Sequence, residues 1–275
     1  MTTVAEFIHL DGTRVTEKII GVGGTGIVVQ HGQQAIKIPR LSREFGTDGR
    51  PLLDESLPPK EGDYDVRSGL LLSLQQEKAI YRRLGDHHGI VRCHNLSSAD
   101  PSIMMEFMVN GDLRHYLSQH SNPGEGQILS WLTTIAQTLA YIHDRRIILA
   151  DIRLDNFLLD KQLAIRFTDF GQSTLMPLDW DLRGCDDDGY SVMTDLGQLG
   201  AVIFEIATGQ SCKFDFVQDL AGDSTSWTHR SSLPLTSAVW LGEVIEKCWT
   251  QVFRSAEALA TELEVLMQQL IEKDN

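Results

Sequence analysis

The sequence predicts an α+β fold in which a β-rich N-terminal part precedes a larger helical part. Short runs rich in β-branched residues, broken by glycine, lie between Thr16 and Pro39. From Ser68 onward apolar residues recur mostly at the 3.6-residue spacing of helices, with no internal repeat. Strands first and helices later are typical of an α+β arrangement. The length of 275 residues suits one unit built from two such parts.

The first part is predicted to be a β-meander followed by a long loop. Its three strands are TEKIIG, GIVVQ and QAIKIP, separated by a glycine-rich turn and by His31-Gly32. From Arg40 to Asp65 the chain is polar and rich in proline and glycine. Residues 40–65 are therefore expected to be an inserted mobile loop without regular structure.

The remaining elements follow from periodicity and from turn residues. A helix begins near Ser68 and ends before Gly85, and SIMMEFMV is predicted to be a buried strand that leads through the turn NGD. Two short strands are expected at FLLD and AIRFTD. The other helices are predicted at Leu113–His120, Ile128–Asp144, Thr194–Thr208, Ala238–Trp249 and Ser255–Glu272, the last with Ser255 as N-cap.

Composition excludes several classes of protein. The formal net charge of -14 disfavours nucleic-acid binding and suits a basic protein partner better. No run of eighteen apolar residues occurs, so no membrane association is expected. The four cysteines form no C-x-x-C pair and predict neither a zinc site nor a disulfide framework: Cys93, Cys185, Cys212 and Cys248. We expect a soluble protein of the cytoplasm or another reducing intracellular compartment.

A glycine-rich stretch, G-V-G-G-T-G-I-V, runs from Gly21 to Val28 between the first two predicted strands. Glycines let a tight loop bring its backbone N–H groups close to phosphate oxygens. The same residues also suit an ordinary glycine-rich hairpin. A dinucleotide-binding fingerprint is disfavoured, because a strand follows the glycines where that fingerprint requires a helix.

Lys37 ends the third strand in the tripeptide Ala-Ile-Lys. A lysine in this position can hold phosphate groups, although a solvated strand end is the ordinary explanation. Glu77, in the following helix, is the acidic residue best placed to orient that lysine. The ordinary explanation for Glu77 is an exposed position on the helix.

The strongest chemical signal is Asp151-Ile-Arg-Leu-Asp-Asn156, followed by Asp169-Phe-Gly171. Asp151 can orient an attacking hydroxyl and accept its proton. Asn156 and Asp169 offer the hard oxygen ligands that Mg²⁺ prefers on a triphosphate. Several motifs in this order and at compatible spacing rarely arise by chance.

Together these motifs resemble a eukaryotic-type protein kinase domain, from about Thr16 to the C-terminal helix. The resemblance implies a bilobal, protein-kinase-like fold that binds ATP and Mg²⁺ in a cleft between its lobes. Residues 1–108 would form a β-rich N-lobe with the hinge, and residues 109–275 a helical C-lobe. Asp195, in TDLGQLG, is similar to the buried aspartate that anchors the catalytic loop of this family.

The resemblance also implies roles for individual residues. The implied catalytic residues are Asp151, Lys37, Glu77 and Arg153, and the implied metal ligands are Asn156 and Asp169. The resemblance also implies the nucleotide contacts. The phosphates would be covered by Gly21, Gly23 and Gly26, and the adenine ring would be contacted by the apolar residues Val28, Ala35 and Leu158. The gatekeeper would be Met105, the hinge would contain Glu106 and Met108, and the ribose would be bound by Asp112.

The sequence departs from the family pattern in four places. Leu149-Ala150-Asp151 stands where the family has His-Arg-Asp, so Ala150 cannot pair with a phosphorylated activation loop. Arg153 replaces a common lysine, which leaves Ser/Thr or Tyr preference undecided. Between Gly171 and Asp195 there is no Ala-Pro-Glu, which puts the usual peptide-docking platform in question. The interval between Lys37 and Glu77 is also longer than in the family.

The first functional hypothesis is a protein kinase that transfers the γ-phosphate of ATP to a Ser, Thr or Tyr hydroxyl of a protein substrate, with basic substrates favoured by the negative charge. The rival is a pseudokinase that acts as a nucleotide-binding scaffold or regulatory module. A kinase-fold enzyme acting on a small molecule is the third reading, because the shortened segment before Asp195 need not hold a peptide.

Overall fold

The computed structural model describes residues 4–60, 62–120, 123–214, 217–218 and 225–273. The chain divides into two compact units, Met1–His87 with Val91–Met108 and His88–Ile90 with Val109–Asn275. One division falls after Met108, and His88–Ile90 belong to the second unit. The reason is local pairing: Ile90 bridges to Phe167, whose N–H also donates to the carbonyl of Gly89 over 2.8 Å. The expected lobes at residues 1–108 and 109–275 stay a prediction.

The first unit contains seven strands and one helix in its described part. In chain order they are β1 Val4–Ile8, β2 Lys18–Val22, β3 Gly26–His31, β4 Gln34–Pro39, β5 Leu41–Phe45, β6 Pro51–Asp54, helix α1 Val66–Leu84 and β7 Ile103–Glu106. The predicted meander is confirmed as β2, β3 and β4, and the run SIMMEFMV contains β7. These four strands form an antiparallel sheet in the order β2-β3-β4-β7.

The two faces of this sheet have different tasks. Ile27 pairs with Ile38, and Val29 pairs with Ile36, so these side chains share one face and pack with Val15 in an apolar cluster. Because side chains alternate along a strand, Lys37 of β4 projects from the other face, opposite Val28. Packing on the apolar face therefore fixes strand β4, and Lys37 projects from its opposite face.

The expectation of no regular structure in residues 40–65 is wrong. Strand β5 pairs with both β1 and β6 in a second sheet, and residue 61 lies outside the described residues. Strand β1 was not predicted from the sequence, and it supplies the neighbour that β5 needs. Arg43 of β5 links this sheet, since its guanidinium donates to Asp54 over 2.7 Å and to the carbonyl of Gly12 over 2.8 Å. The mobility of the segment stays a prediction.

Helix α1 carries Glu77 to its position. The carboxylate of Asp65 caps the helix by accepting from the N–H of Ser68 over 3.0 Å, and Gly85 ends it with a positive φ of 64°. The apolar stripe of α1 buries Leu74, Ile80, Tyr81 and Leu84. Glu77 lies on the same stripe and is 2% exposed. The alternative that Glu77 is merely an exposed helix residue is therefore wrong.

The second unit is mainly helical. Its described elements are α2 Leu113–Gln119, α3 Glu125–Asp144, β8 Ile147–Ile148, β9 Phe157–Leu159, β10 Ile165–Phe167, β11 Thr174–Leu175, α4 Val192–Thr208, β12 Val217–Gln218, β13 Thr225–Ser226, α5 Gly242–Trp249 and α6 Ala256–Lys273. The predicted helices and the short strands β9 and β10 are confirmed within a few residues. Helices α3 and α6 pack against each other, and α4 packs against α5.

The first residues of α6 and α5 are determined by local contacts. Helix α6 is capped as predicted, because the hydroxyl of Ser255 accepts from the N–H of Ala258 over 3.2 Å. Helix α5 begins at Gly242, later than the predicted Ala238. Leu241 has a φ of 61°, and a Cβ at Gly242 would overlap the carbonyl of Thr236, so the preceding residues turn too tightly to be helical.

Among the described residues, none of the helices combines the length and the apolar character needed to cross a bilayer.

Arg43 also donates to Glu6 of β1 over 3.4 Å, beside its contacts with Asp54 of β6 and Gly12, which predicts that the second sheet loosens when this side chain is removed. In Arg43→Ala the strands β1 and β6 lose a shared cation, so we expect several-fold faster amide hydrogen exchange in residues 41–54, measured by mass spectrometry. Arg50→Ala is the matched control, because Arg50 is exposed and lies 3.7 Å from exposed Asp48. Equal exchange in both variants would contradict this role.

Candidate active site

Lys37 and Glu77 form a buried ion pair in the first unit. The Nζ of Lys37 donates to Oε2 of Glu77 over 2.6 Å, and the side chains are 7% and 2% exposed. The predicted contact between strand β4 and helix α1 is therefore present. Lys37 is not a solvated strand end, and the pair fixes where its ammonium group lies.

The glycine-rich stretch forms the tight connection between β2 and β3. The N–H of Gly23 donates to the carbonyl of Gly26 over 2.8 Å and closes this turn. A Cβ at Gly26 would come within 2.9 Å of Cε of Lys37, so a glycine is needed for the lysine stem to pass. Packing makes no such demand at Gly21, where a Cβ would stay 3.5 Å from Val28.

Several of the residues predicted to contact an adenine ring or to form the hinge lie in strands β4 and β7 of the same sheet or just after them. Ala35 of β4 pairs with Met105 of β7, and both are buried. The hydroxyl of Tyr81 in α1 contacts the sulfur of Met105 over 3.9 Å, which holds the predicted gatekeeper between sheet and helix. The N–H of Glu106 donates to the carbonyl of Arg92 over 2.9 Å. Met108, also buried, ends this unit.

In the second unit, Asp195 organises the loop that contains the Leu-Ala-Asp motif. Its Oδ2 accepts from the N–H of Leu149 and its Oδ1 from the N–H of Ala150, both over 2.9 Å. Nε2 of His143 lies 2.9 Å from Oδ2. Asp195 is fully buried, so these contacts hold the loop against helix α4. The predicted anchoring by Asp195 is confirmed.

Asn156 and Asp151 are brought together by this loop. The Nδ2 of Asn156 donates to the backbone carbonyl of Asp151 over 2.8 Å and to its Oδ2 over 3.1 Å. With its nitrogen committed in this way, the amide of Asn156 has its oxygen as the atom for a hard cation. The N–H of Thr168 donates to the carbonyl of Asn156 over 3.0 Å, which connects the loop to the residue before Asp169.

Two residues of the predicted motifs have left-handed backbone. Ala150 has a φ of 63° and Asp169 a φ of 58°. For a residue with a Cβ this conformation costs about 1–2 kcal/mol, so surrounding contacts must hold it in place. Asp195 holds the N–H of Ala150, as described above. At Asp169, Oδ1 accepts from the N–H of Gly171 at 3.4 Å.

The two remaining predicted nucleotide contacts pair with each other. Asp112 and Leu158 form an isolated antiparallel bridge. The carboxylate of Asp112 also caps helix α2, accepting from the N–H of His115 over 2.8 Å. Asp112 thus has a structural role whether or not it contacts a ribose.

Arg153 belongs to a charged cluster beside the loop. Its Nε donates to Asp155 over 3.1 Å, and Nε of Arg114 donates to the other oxygen of Asp155 over 2.8 Å. Arg114 also donates to Glu205. Although burial lowers it, these hydrogen bonds hold the pKa of the Arg114 guanidinium above its ordinary value. Each carboxylate here already faces an arginine, so this cluster gives no support to the expected preference for basic substrates.

The segment from Gln172 to Tyr190 is held by pairing with β8 and by contacts among its own residues. Strand β11 pairs with β8, and the hydroxyl of Thr174 donates to Oδ2 of Asp186 over 2.7 Å. The Oδ1 of Asp186 accepts from the N–H groups of Asp188 over 3.1 Å and of Tyr190 over 2.8 Å. The buried carboxylate of Asp186 therefore ties both ends of this segment together.

Sequence reasoning missed three functional-site candidates: His143, Asp186 and Gln198. His143 could have been noticed as a polar residue on the apolar stripe of α3, among Leu139 and Ile142. Gln198 follows Asp195 by three residues and therefore shares its helix face. It contacts the backbone on both sides of Asp151. Asp186 lies within a run of three aspartates, and no sequence pattern distinguishes it from its neighbours.

Each unit thus assembles one set of predicted residues. The first unit brings together Lys37 and Glu77, with Gly26 against the lysine stem. The second unit brings together Asp151 and Asn156 and joins them to the strand pair that precedes Asp169. The polar groups expected for phosphate, metal and acceptor hydroxyl are all present in these sets.

Known proteins with similar sequences are protein kinases. The family described as "Protein kinase domain" matches residues 63–184. Inhibitor of nuclear factor kappa-B kinase subunit beta from Mus musculus is 30% identical over 222 residues, which cover 69% of this chain and 26% of that protein. Atypical protein kinase C from Drosophila melanogaster is 27% identical over 168 residues, covering 55% of this chain and 27% of that protein. The matches therefore cover only about a quarter of the length of these relatives.

The contacts of Asp195 predict a large loss of stability when its carboxylate is removed. Asp195→Ala leaves three buried donors without their acceptor, so we expect the free energy of unfolding to fall by about 3 kcal/mol, measured by urea denaturation. Asp144→Ala is the control, because Asp144 is exposed at the end of α3, and it should change stability by less than about 0.5 kcal/mol. Similar small losses in both variants would refute the anchoring role.

Proposed function

We propose that this chain, which carries a eukaryotic-type protein kinase domain, is an active kinase that transfers the γ-phosphate of Mg²⁺-bound ATP to a protein hydroxyl. The acceptor is a Ser, Thr or Tyr side chain, because the sequence leaves the choice among them open at Arg153. The family supplies the reaction class, and the contacts of individual residues support activity in this chain.

The buried ion pair of Lys37 and Glu77 carries the proposal. A buried lysine–glutamate pair contributes little net stability, since apolar residues of similar volume serve as well or better. Both side chains are nonetheless almost fully buried in the first unit, with Nζ of Lys37 2.6 Å from Oε2 of Glu77. Such a pair is best explained by a task for the ammonium group, and holding the phosphates of a nucleotide is the task that suits Lys37.

The donor set of the second unit suits magnesium. Asn156 and Asp169 would hold the ion through an amide oxygen and a carboxylate. The described residues contain no cluster of three or more His, Cys, Asp or Glu side chains fit for a metal. Mg²⁺ does not need one, because it is commonly bound through one or two carboxylates plus phosphate oxygens and water. When bound, the ion neutralises charge on the phosphates.

Asp151 would act on the acceptor. In the transfer, the acceptor oxygen forms a bond to the γ-phosphorus, the bond from that phosphorus to the β–γ bridging oxygen breaks, and ADP leaves. Asp151 accepts the hydroxyl proton. The hydrogen bond from Asn156 to Oδ2 of Asp151 and the anchored loop around it keep this carboxylate in one orientation.

A nucleotide-binding scaffold without transfer activity is the second candidate. It is favoured by Ala150 and by the absence of an Ala-Pro-Glu sequence between Gly171 and Asp195. The two candidates make different demands on Asp151: transfer needs its carboxylate, whereas nucleotide binding depends on Lys37, Asn156 and Asp169.

Activity is tested with labelled ATP, Mg²⁺ and a mixture of hydroxyl-bearing peptides of both charges. We expect transfer by the wild type, lowered about a hundredfold or more in Asp151→Asn because the proton acceptor is lost. That variant should keep the rise in melting temperature caused by Mg·ATP. The corresponding gain in the free energy of unfolding is about 2.7 kcal/mol for a hundredfold excess of ligand over Kd. Lys37→Met should lose this rise.

Lys161→Met is the matched control for the lysine substitution, since Lys161 is exposed on the turn between β9 and β10. It should retain both binding and transfer. A wild type that shows the melting shift but transfers no phosphate would assign the chain to the scaffold candidate. No melting shift in folded wild type would count against ATP binding altogether.

Activity should not require phosphorylation of the segment from Gln172 to Tyr190. The carboxylate of Asp186 already bonds Thr174 and the N–H of Tyr190, so a phosphate has no ordering task left. We expect phosphatase-treated and untreated enzyme to turn over equally, and Asp186→Ala to lower turnover in both. Asp187→Ala, an exposed neighbour with the same charge change, should leave turnover unchanged. Recovery of activity only after phosphorylation would defeat this prediction.

A further inference from the structure

Helix α4 presents two polar side chains to the loop of Asp151, one turn apart. The first is Asp195, described above. The second is Gln198, whose Oε1 accepts from the N–H of Ile152 over 2.9 Å and whose Nε2 donates to the carbonyl of Ala150 over 2.8 Å. One half-buried amide group therefore contacts the backbone immediately before and immediately after Asp151.

The two contacts of Gln198 hold the two peptide groups that flank Asp151. The carbonyl of Ala150 belongs to the peptide bond that enters Asp151, and the N–H of Ile152 belongs to the one that leaves it. Because a peptide group is planar, holding both groups leaves φ and ψ of Asp151 little freedom. Those angles set the direction of its Cα–Cβ bond, and so the position of its carboxylate.

Asp195 cannot do this alone. Its oxygens accept from the N–H groups of Leu149 and Ala150, which belong to the two peptide bonds before those that flank Asp151. An ionised carboxylate has no hydrogen to donate to the carbonyl of Ala150, so this carbonyl needs a different side chain as its partner. Gln198 supplies that partner.

An amide suits this task for a chemical reason. The loop offers one N–H donor and one carbonyl acceptor, and a glutamine side chain offers the complementary pair in one planar group. A carboxylate would accept from Ile152 but face the carbonyl of Ala150 with negative charge. An apolar side chain of similar size would fill the space and hold neither group.

We infer that Gln198 is a positioning residue for Asp151, acting through the two peptide groups on either side of it. The inference rests on the proposed function, since positioning matters for catalysis only if Asp151 accepts the hydroxyl proton. It differs from an anchoring role, because it predicts a loss of turnover while nucleotide binding is retained.

The kinetic test compares Gln198→Met and Gln198→Glu with the wild type in the labelled-ATP assay. We expect kcat to fall about tenfold to a hundredfold, the usual consequence of a small misplacement of a reacting group, with KM for ATP within about twofold. Gln137→Met is the matched control, because Gln137 also donates from its amide, to Glu264 over 2.7 Å, on exposed surface of α3. It should keep wild-type kcat.

A second measurement does not depend on activity. Amide hydrogen exchange of residues 149–153 should quicken in Gln198→Met and stay at the wild-type rate in Gln137→Met. If the wild type transfers no phosphate, the proposed function fails and this exchange alone decides whether Gln198 holds the loop. Unchanged exchange, unchanged kcat in an active enzyme, or equal losses of kcat and ATP affinity would each overturn the inference.

Discussion

The buried carboxylate of Asp195 accepts hydrogen bonds from the N–H groups of Leu149 and Ala150 and lies against His143. The rest of the second unit's candidate site depends on this contact. It holds Ala150 in a left-handed conformation that an alanine does not adopt unaided, and it thereby turns the chain so that Asp151 and Asn156 meet. A carboxylate can accept several hydrogen bonds at once, which explains why one side chain serves two backbone N–H groups and a histidine.

The first unit solves a comparable problem with a different device. The ammonium group of Lys37 is buried beside an apolar sheet. It can stay charged there only with a carboxylate at close range. Helix α1 supplies Glu77 from its buried stripe, and the lack of a side chain at Gly26 makes room for the lysine stem. In both units, a charge is kept in one place by groups that are distant in sequence. At Ala150 the sequence departs from the family pattern, whereas the chemical groups of the candidate site are all present.

Several contacts were beyond prediction for identifiable reasons. Residues 40–65 have the composition of a loop, yet β5 and β6 form because β5 pairs with β1 and because Arg43 donates to Asp54 and to the carbonyl of Gly12. Long-range pairing of this kind leaves no local periodicity. Asp186 is likewise one aspartate among three in the sequence, and only burial beside Thr174 distinguishes it. Gln198 could have been inferred from its spacing to Asp195, but spacing alone does not say which backbone groups an amide will reach.

The sequence by itself determined the class of fold, the order of most elements and the chemical groups of the candidate site. Those features depend on local patterns: alternation in β3 and β4, helical periodicity in the later helices, and motifs whose residues lie close together in the chain. Only the tertiary structure decided that Glu77 is buried against Lys37, that Arg114 faces Asp155 and Glu205, and that Gln198 brackets Asp151. Contacts between residues far apart in sequence depend on how whole elements pack, because burial and hydrogen-bond geometry arise only when those elements meet.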